Sequence, residues 1–355
     1  MAIDVVIGAG RGDEGKGNFC SYLGLNGDYS IALRSASPQA GHSIYLDRKR
    51  VGLVHLPCAV INPNLRILLG AASFIDSKKM FYGGFDVRPY TGEKIEIIPE
   101  IPRFKLTRER LGIDYRAKLV TEEQVERERA DERFRKRGSV LSGVNMAKMD
   151  LLCKDDEHLK FVTSEPELKK YAVDTTKEMF AALENEKHIL FETDHGMELC
   201  QYFGVFPWNT ARTINTSAYL GEAGLPPQWV RDVYLAIKPY NTIVAKDAPV
   251  KDEIFDKKVL EELIREGGET GSVSGRPRRA GRFDAESFKQ AIAMSGATKI
   301  AISHLDLSKK TWRAIGFRND SNFLDCIEDI CYQTWPYPEV SLVAYGPETT
   351  SVRKT

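Results

Sequence analysis

The residues best equipped for chemistry stand close to the N-terminus. Gly10-Arg11-Gly12-Asp13-Glu14-Gly15-Lys16 fits the opening of the pattern G-x-x-x-x-G-K, whose bare backbone N–H groups and single ammonium surround polyphosphate oxygens. The next position of that pattern gives a Ser or Thr hydroxyl to Mg²⁺; here it is Gly17, so a metal needs another ligand. Asp13, inside the loop, is placed either to supply that ligand or to act as a base. Gly10, Gly12 and Gly15 also spell the dinucleotide fingerprint G-x-G-x-x-G. That reading wants an acidic residue ending the second strand, where the run Ile31 to Ala36 carries Arg34 instead, and it sets Asp13 and Glu14 against a pyrophosphate. A purely structural glycine turn is the third reading.

Other candidates follow along the chain. His42 can donate to a phosphoryl oxygen or an oxyanion, or simply cap a turn; Gly41 beside it leaves room for a ligand to approach the backbone. Gly138-Ser139-Val140-Leu141-Ser142-Gly143 is a second small-residue loop, suited to a phosphate through its N–H groups and hydroxyls or to capping a helix. Asp194-His195-Gly196 closes a strand, and its acidic neighbour is expected to raise the proton affinity of His195. Arg276, Arg278 and Arg279, behind Ser272 and Ser274, suit bidentate capture of carboxylates and phosphates, or form a solvated basic turn. Asp306, in His304-Leu305-Asp306, can accept the N1–H and amino protons of a guanine.

These residues need elements to hold them. Ile3 to Ile7 reads as a strand running through the glycine loop into a helix that ends near Leu23. Strands are expected at Tyr29–Ala36, Leu65–Ala72, His188–Glu192, Thr298–Ser303 and Val340–Ala344, with a strand pair over Asp232–Ala245. Helices are expected at Thr175–Glu186, Glu253–Glu266, Ala285–Met294 and Asn322–Trp335. This alternation predicts an α/β, P-loop-like nucleotide-binding fold with a large, mostly parallel central sheet and helical insertions. Thr121 to Arg137, dense in Glu and Arg, reads as a solvated helix held by i,i+4 ion pairs.

With 355 residues, 42% of them hydrophobic, the chain can bury a large core, either as two closely joined lobes or as one large α/β domain with insertions, the organisation expected for residues 1–355. A formal charge of zero argues against nonspecific nucleic-acid binding and against an anionic membrane surface. No apolar run suits a membrane helix and no signal-peptide core opens the chain, so a cytoplasmic protein is expected. The six cysteines include no C-x-x-C pair and read as packed thiols, Cys20 among them.

Gly12-Asp13-Glu14-Gly15-Lys16-Gly17 resembles the GDEGKG signature of adenylosuccinate synthetases, and Ala40-Gly41-His42 their NAGH element. Ser274-Gly275-Arg276-Pro277-Arg278-Arg279 is similar to the TGRxRR aspartate loop, and Tyr345-Gly346-Pro347-Glu348 to the TGPE turn. The matches keep family order, and LGIDYRAKLV resembles the short archaeal branch. The resemblance implies a ligase that phosphorylates the 6-oxygen of a purine nucleotide and then displaces phosphate with L-aspartate. It makes Asp13, Lys16 and His42 catalytic, and Asp13 with Gly41 the Mg²⁺ ligands. Gly10, Gly12, Glu14, Gly15, Gly17, His304, Asp306, Gly346 and Pro347 would hold the donor. Asp13, Gln39, Ser139, Val140, His195, Thr210 and Arg276 would hold the acceptor, and Ser272, Val273, Ser274, Arg276 and Arg278 the aspartate. A homodimer is implied, although the arginine that crosses it has no clear counterpart, Lys148 to Lys154 offering only lysines.

The departures cluster. Pro38, Gln39, Val140, Asn145 and His195 differ from the family's inosinate site, while the phosphate loop and aspartate loop are kept. A phage branch of the family acts on deoxyguanylate to make the succino-precursor of 2-aminoadenine nucleotides. The expectation is therefore dGMP as acceptor and ATP or dATP as donor, since a lysine of the family's guanine-reading element is His304 here. The alternatives are IMP with GTP, and an inactive nucleotide-binding regulator.

Overall fold

The computed structural model describes residues 2–46, 49–87, 94–245, 247–269 and 277–355. Its centre is a ten-stranded sheet. In chain order the strands are β1 (Ile3–Gly8), β2 (Ile31–Arg34), β3 (Arg66–Leu69), β4 (Leu111–Asp114), β5 (Ala172–Val173), β6 (Ile189–Gly196), β7 (Val230–Ile237), β8 (Lys299–Ile302), β9 (Glu339–Ala344) and β10 (Val352–Lys354). Across the sheet they lie β5-β4-β3-β2-β6-β1-β7-β8-β9-β10, parallel except for the final β9–β10 pair. A run of mainly apolar residues makes β1 suit the middle: Ile3, Val5 and Ile7 enter one core and Val6 the other, the alternation a strand imposes when both faces are covered.

Because the strands are parallel, their C-terminal ends gather along one edge, where ligands of such sheets bind. Gly8, Arg34, Glu192 to Gly196, Ile237 and Ile302 all end there. From β1 the chain turns through the glycine loop into α1 (Lys16–Asn26), capped by Gly15 at φ 76° with no side chain on the cap. That leaves the first N–H groups of the helix open to an anion.

The expected elements are present with small shifts, and three differ in ways that matter. The strand pair over Asp232–Ala245 splits: its second half, Tyr240–Ile243, leaves the large sheet to pair antiparallel with Arg279–Arg282, which brings Arg278 beside Asp13. His42 begins a strand (His42–Leu46) instead of occupying a turn. The charged stretch is two helices, α2 (Glu122–Ala130) and a short one over Glu132–Lys136, broken where Asp131 caps the second. Nor is α2 wholly solvated, for Gln124 and Glu128 are fully buried. Thr121 and Gln124 form a reciprocal capping box. Removing that cap, as in Thr121→Ala, is expected to destabilise the protein by about 1 kcal/mol, read as a lower urea midpoint.

Candidate active site

Two cavities open along the C-terminal edge of the sheet. One, of about 300 Å³, is lined by Gly15, Lys16, Gly17, His304, Asp306, Gly346 and Pro347. The other, of about 620 Å³, is lined by Gln39, Ser139, Val140, Asn145, His195 and Thr210. Gly12, Asp13, Gly41, His42 and Arg278 line both. Of the residues expected to act in catalysis, Asp13 and His42 therefore stand on the wall between the two spaces, and Lys16 lines only the smaller, which carries the residues expected to hold the donor; the larger carries those expected to hold the acceptor. Ser272, Val273, Ser274 and Arg276 lie outside the described residues.

Asp13 sits among cations that the sequence reading did not connect to it. Its Oδ2 accepts from the Thr242 hydroxyl and lies 3.3 Å from Lys238 Nζ and 3.2 Å from Arg278 Nε. Behind them, buried Glu269 accepts from Lys238 at 2.7 Å, the Tyr240 hydroxyl at 2.6 Å and Arg278 Nη1 at 2.6 Å. Burial opposes the charge on Asp13, but Lys238 and Arg278 outweigh it and hold the carboxyl well below the usual range. In this arrangement Asp13 is a counter-ion first.

The phosphate loop also holds an anion of its own. Buried Glu14 turns its carboxylate inward, accepting from Gly12 N at 2.7 Å and Lys16 Nζ at 3.1 Å. This differs from the expectation that Glu14 faces the nucleotide: its carboxylate uses donors a phosphate would need. Gly12 must be glycine, at φ 99° with the His195 backbone 3.1 Å from where a Cβ would stand. At Gly17 a Cβ would meet Ser43 O at 2.7 Å and Cys58 Sγ at 2.8 Å. The position that carries a metal-binding hydroxyl in other phosphate loops has no room for a side chain.

His42 is held through its Nδ1, which hydrogen-bonds Glu192, while Glu192 also accepts from Cys58 N at 2.7 Å. Its Nε2, 4.0 Å from Asp194 Oδ1, is buried with no hydrogen-bond partner among the described residues, as is Nδ1 of His195. Two imidazole nitrogens on the acceptor cavity thus lack the hydrogen bonds that buried polar atoms normally make. The expected rise in His195 basicity is reversed. Burial pushes its pKa down to about 3; Asp194 opposes this, but the charges of Arg212, Lys148 and Lys16 add to the fall, and Asp194 is itself paired with Arg34 (2.8 Å) and Arg212 (3.5 Å). His195 is a neutral ring held at φ 61°.

His304, on the smaller cavity, has both ring nitrogens engaged by the protein. Its Nδ1 lies 2.7 Å from Ser303 Oγ, its Nε2 3.2 Å from Gly267 O, and its ring stands edge-on to Tyr240. Asp306 is exposed and lines the donor cavity. Ser139, expected to offer its hydroxyl to a phosphate, donates it to buried Glu128 at 2.8 Å.

The architecture has precedents among known proteins. The family model for adenylosuccinate synthetase matches residues 5–154 and 102–315. The chain belongs to the adenylosuccinate synthetase family. It is 32% identical over 305 residues to the adenylosuccinate synthetase of Thermococcus onnurineus, covering 85% of this chain and 83% of that one. With that of Methanococcus vannielii it shares 30% over 309 residues, 86% and 85% of the two chains. The fold is similar to that of the Cyanophage S-2L succinoaminodeoxyadenylate synthetase bound to dGMP and dATP as an energy donor, with a TM-score of 0.80 and 23% identity over 100% of this chain and 95% of that one. It is similar also to fully ligated adenylosuccinate synthetase from Plasmodium falciparum, with a TM-score of 0.77 and 19% identity over 100% of both chains. As a member of this family the chain is a carbon–nitrogen ligase driven by a nucleoside triphosphate. No helix among the described residues is long and apolar enough to cross a membrane.

Sequence reasoning missed Lys238 and Thr242 as partners of Asp13, Glu269 as the second carboxylate on the same cations, and Glu192 as the partner of His42. Lys238 immediately follows β7, the strand beside β1, so its place at the ligand-binding edge was a usable signal.

Proposed function

We propose that this ligase joins L-aspartate to C6 of dGMP, with ATP or dATP as phosphoryl donor, through a 6-phosphoryl intermediate. The carrying observation is the division of the site: Asp13, His42 and Arg278 stand on the wall shared by both cavities, whereas the departures at Gln39, Val140, Asn145 and His195 line the acceptor cavity alone. Such a pattern suits unchanged chemistry on a changed acceptor. The dGMP and dATP bound by the cyanophage enzyme support the same reading.

Each group has a role in this scheme. Lys16 and the open N–H groups of α1 would hold the transferring γ-phosphoryl group once Glu14 yields its donors. His42, fixed by Glu192, would meet the 6-oxygen with Nε2. Asp13 would take the purine N1 proton after shedding a cation, and Arg278 is the one expected to turn to a carboxylate of the incoming amino acid. Asp13 and the Gly41 carbonyl are hard oxygen donors on the shared wall and suit Mg²⁺. The ion would neutralise charge on the transferring phosphoryl group.

Phosphate release by the purified protein with Mg²⁺, L-aspartate and ATP is expected with dGMP and not with IMP. Turnover confined to IMP would overturn the acceptor assignment in favour of adenylosuccinate synthesis, the activity named for the archaeal relatives. Asp306 on the donor cavity favours GTP as the second reading for the donor. His195→Gln, which replaces one of the departures lining the larger cavity, is expected to shift the dGMP-to-IMP ratio of kcat/KM toward IMP by about tenfold, the scale of one altered pocket contact. An unchanged ratio would remove His195 from acceptor selection.

A further inference from the structure

We propose that Arg137 is the cation that binds the monophosphate of the acceptor nucleotide, an inference that rests on the acceptor cavity holding a purine mononucleotide. A monophosphate dianion in a partly enclosed site needs a positive partner, best a guanidinium. Among the described residues lining this cavity the cationic ones are Arg11, Arg137 and Arg278. Arg11 is committed to Glu198 at 2.8 Å and to the Pro249 carbonyl at 3.0 Å. Arg278 is committed to Glu269 and Asp13.

Arg137 has no carboxylate within salt-bridge distance among the described residues. Its Nε donates to the Arg133 carbonyl at 3.0 Å, and the guanidinium stands 5.4 Å from the centre of the Phe134 ring, itself part of the cavity wall. These contacts orient the guanidinium and leave both terminal nitrogens of the fork without an acceptor among the described residues.

The neutral donors beside it point the other way. Ser139 Oγ and Asn145 Nδ2 both donate to Glu128 Oε1, at 2.8 and 2.6 Å, and Asn145 N lies 3.3 Å from Glu128 Oε2. Glu128 is fully buried, so this carboxylate already fills the hollow between the loop and the start of α3 (Val144–Cys153). The loop cannot also wrap a phosphate with those donors. Arg137 offers the charge from its outer side, and the Thr210 residue on the same cavity adds a hydroxyl.

The test compares the wild-type protein with Arg137→Gln and Arg137→Lys, using the acceptor that wild type turns over and its nucleoside, deoxyguanosine or inosine, as a phosphate-free probe. Arg137→Gln is expected to raise the KM for the mononucleotide roughly 10- to 100-fold, the range for losing hydrogen bonds to a charged group. kcat and the KM values for triphosphate and L-aspartate stay unchanged, nucleoside binding by calorimetry stays at its wild-type value, and Arg137→Lys recovers part of the loss. An unchanged mononucleotide KM overturns the proposal. So does equal weakening of nucleotide and nucleoside, which marks collapse of the loop. If wild type turns over neither dGMP nor IMP, the acceptor reading itself fails, and it fails independently of Arg137.

Discussion

Asp13→Asn is expected to lower kcat by about three orders of magnitude, the middle of the range for removing a positioned general base. Asparagine keeps the size of the side chain and can still meet the Thr242 hydroxyl, so the loop geometry survives. What disappears is the negative charge held between Lys238 and Arg278 and the ability to take a proton. Steady-state phosphate release at saturating substrates measures the effect, and an unchanged circular-dichroism melt separates it from unfolding. Turnover within a few-fold of wild type would show that no proton passes through this carboxylate.

Asp194→Ala should produce the largest loss of stability. Asp194 is completely buried between Arg34, itself completely buried, and Arg212. Removing the anion strands two guanidiniums in the interior, and breaking a buried pair from one side costs about 3–5 kcal/mol. Arg212 keeps Glu222 and the Ser35 carbonyl, which limits the damage on that side. Arg34 keeps its hydrogen bonds to the carbonyls of Leu56 and Ala40 and the more distant charge of Glu192. The Ala40 carbonyl precedes Gly41 and His42, so the variant should lose activity as well as stability. Denaturant unfolding of the two proteins checks this; equal midpoints would mean the ion network contributes nothing net.

The core elements were legible because their signals are local. The opening strand, the glycine loop and α1 follow from apolar residues, a positive-φ turn and an uninterrupted helix within one short stretch. The side chains gathered along the sheet edge were legible wherever a recognisable motif marked them. The pairings between them were not. Nothing near Glu192 in sequence announces His42, which is 150 residues away, and nothing near Glu269 announces Asp13. Tertiary packing alone juxtaposes them: the strand that begins with His42 lies outside the large sheet that carries Glu192, and Glu269 follows the helix Lys257–Gly267. His195 shows the same limit in reverse. Its sequence neighbour Asp194 suggested a more basic ring, but that carboxylate points at two arginines from other segments, and burial decides the outcome.

The crowding at Gly17 separates two ways of building a phosphate loop. A methyl group there would collide with Ser43 and Cys58, which belong to the strand that begins with His42 and to the short helix that follows it. In this packing a hydroxyl-bearing side chain at position 17 and the strand that carries His42 exclude each other sterically. Conversion to an ordinary nucleotide hydrolase would therefore require lifting that strand off α1, a rearrangement of tertiary layers that no exchange at position 17 alone can accomplish.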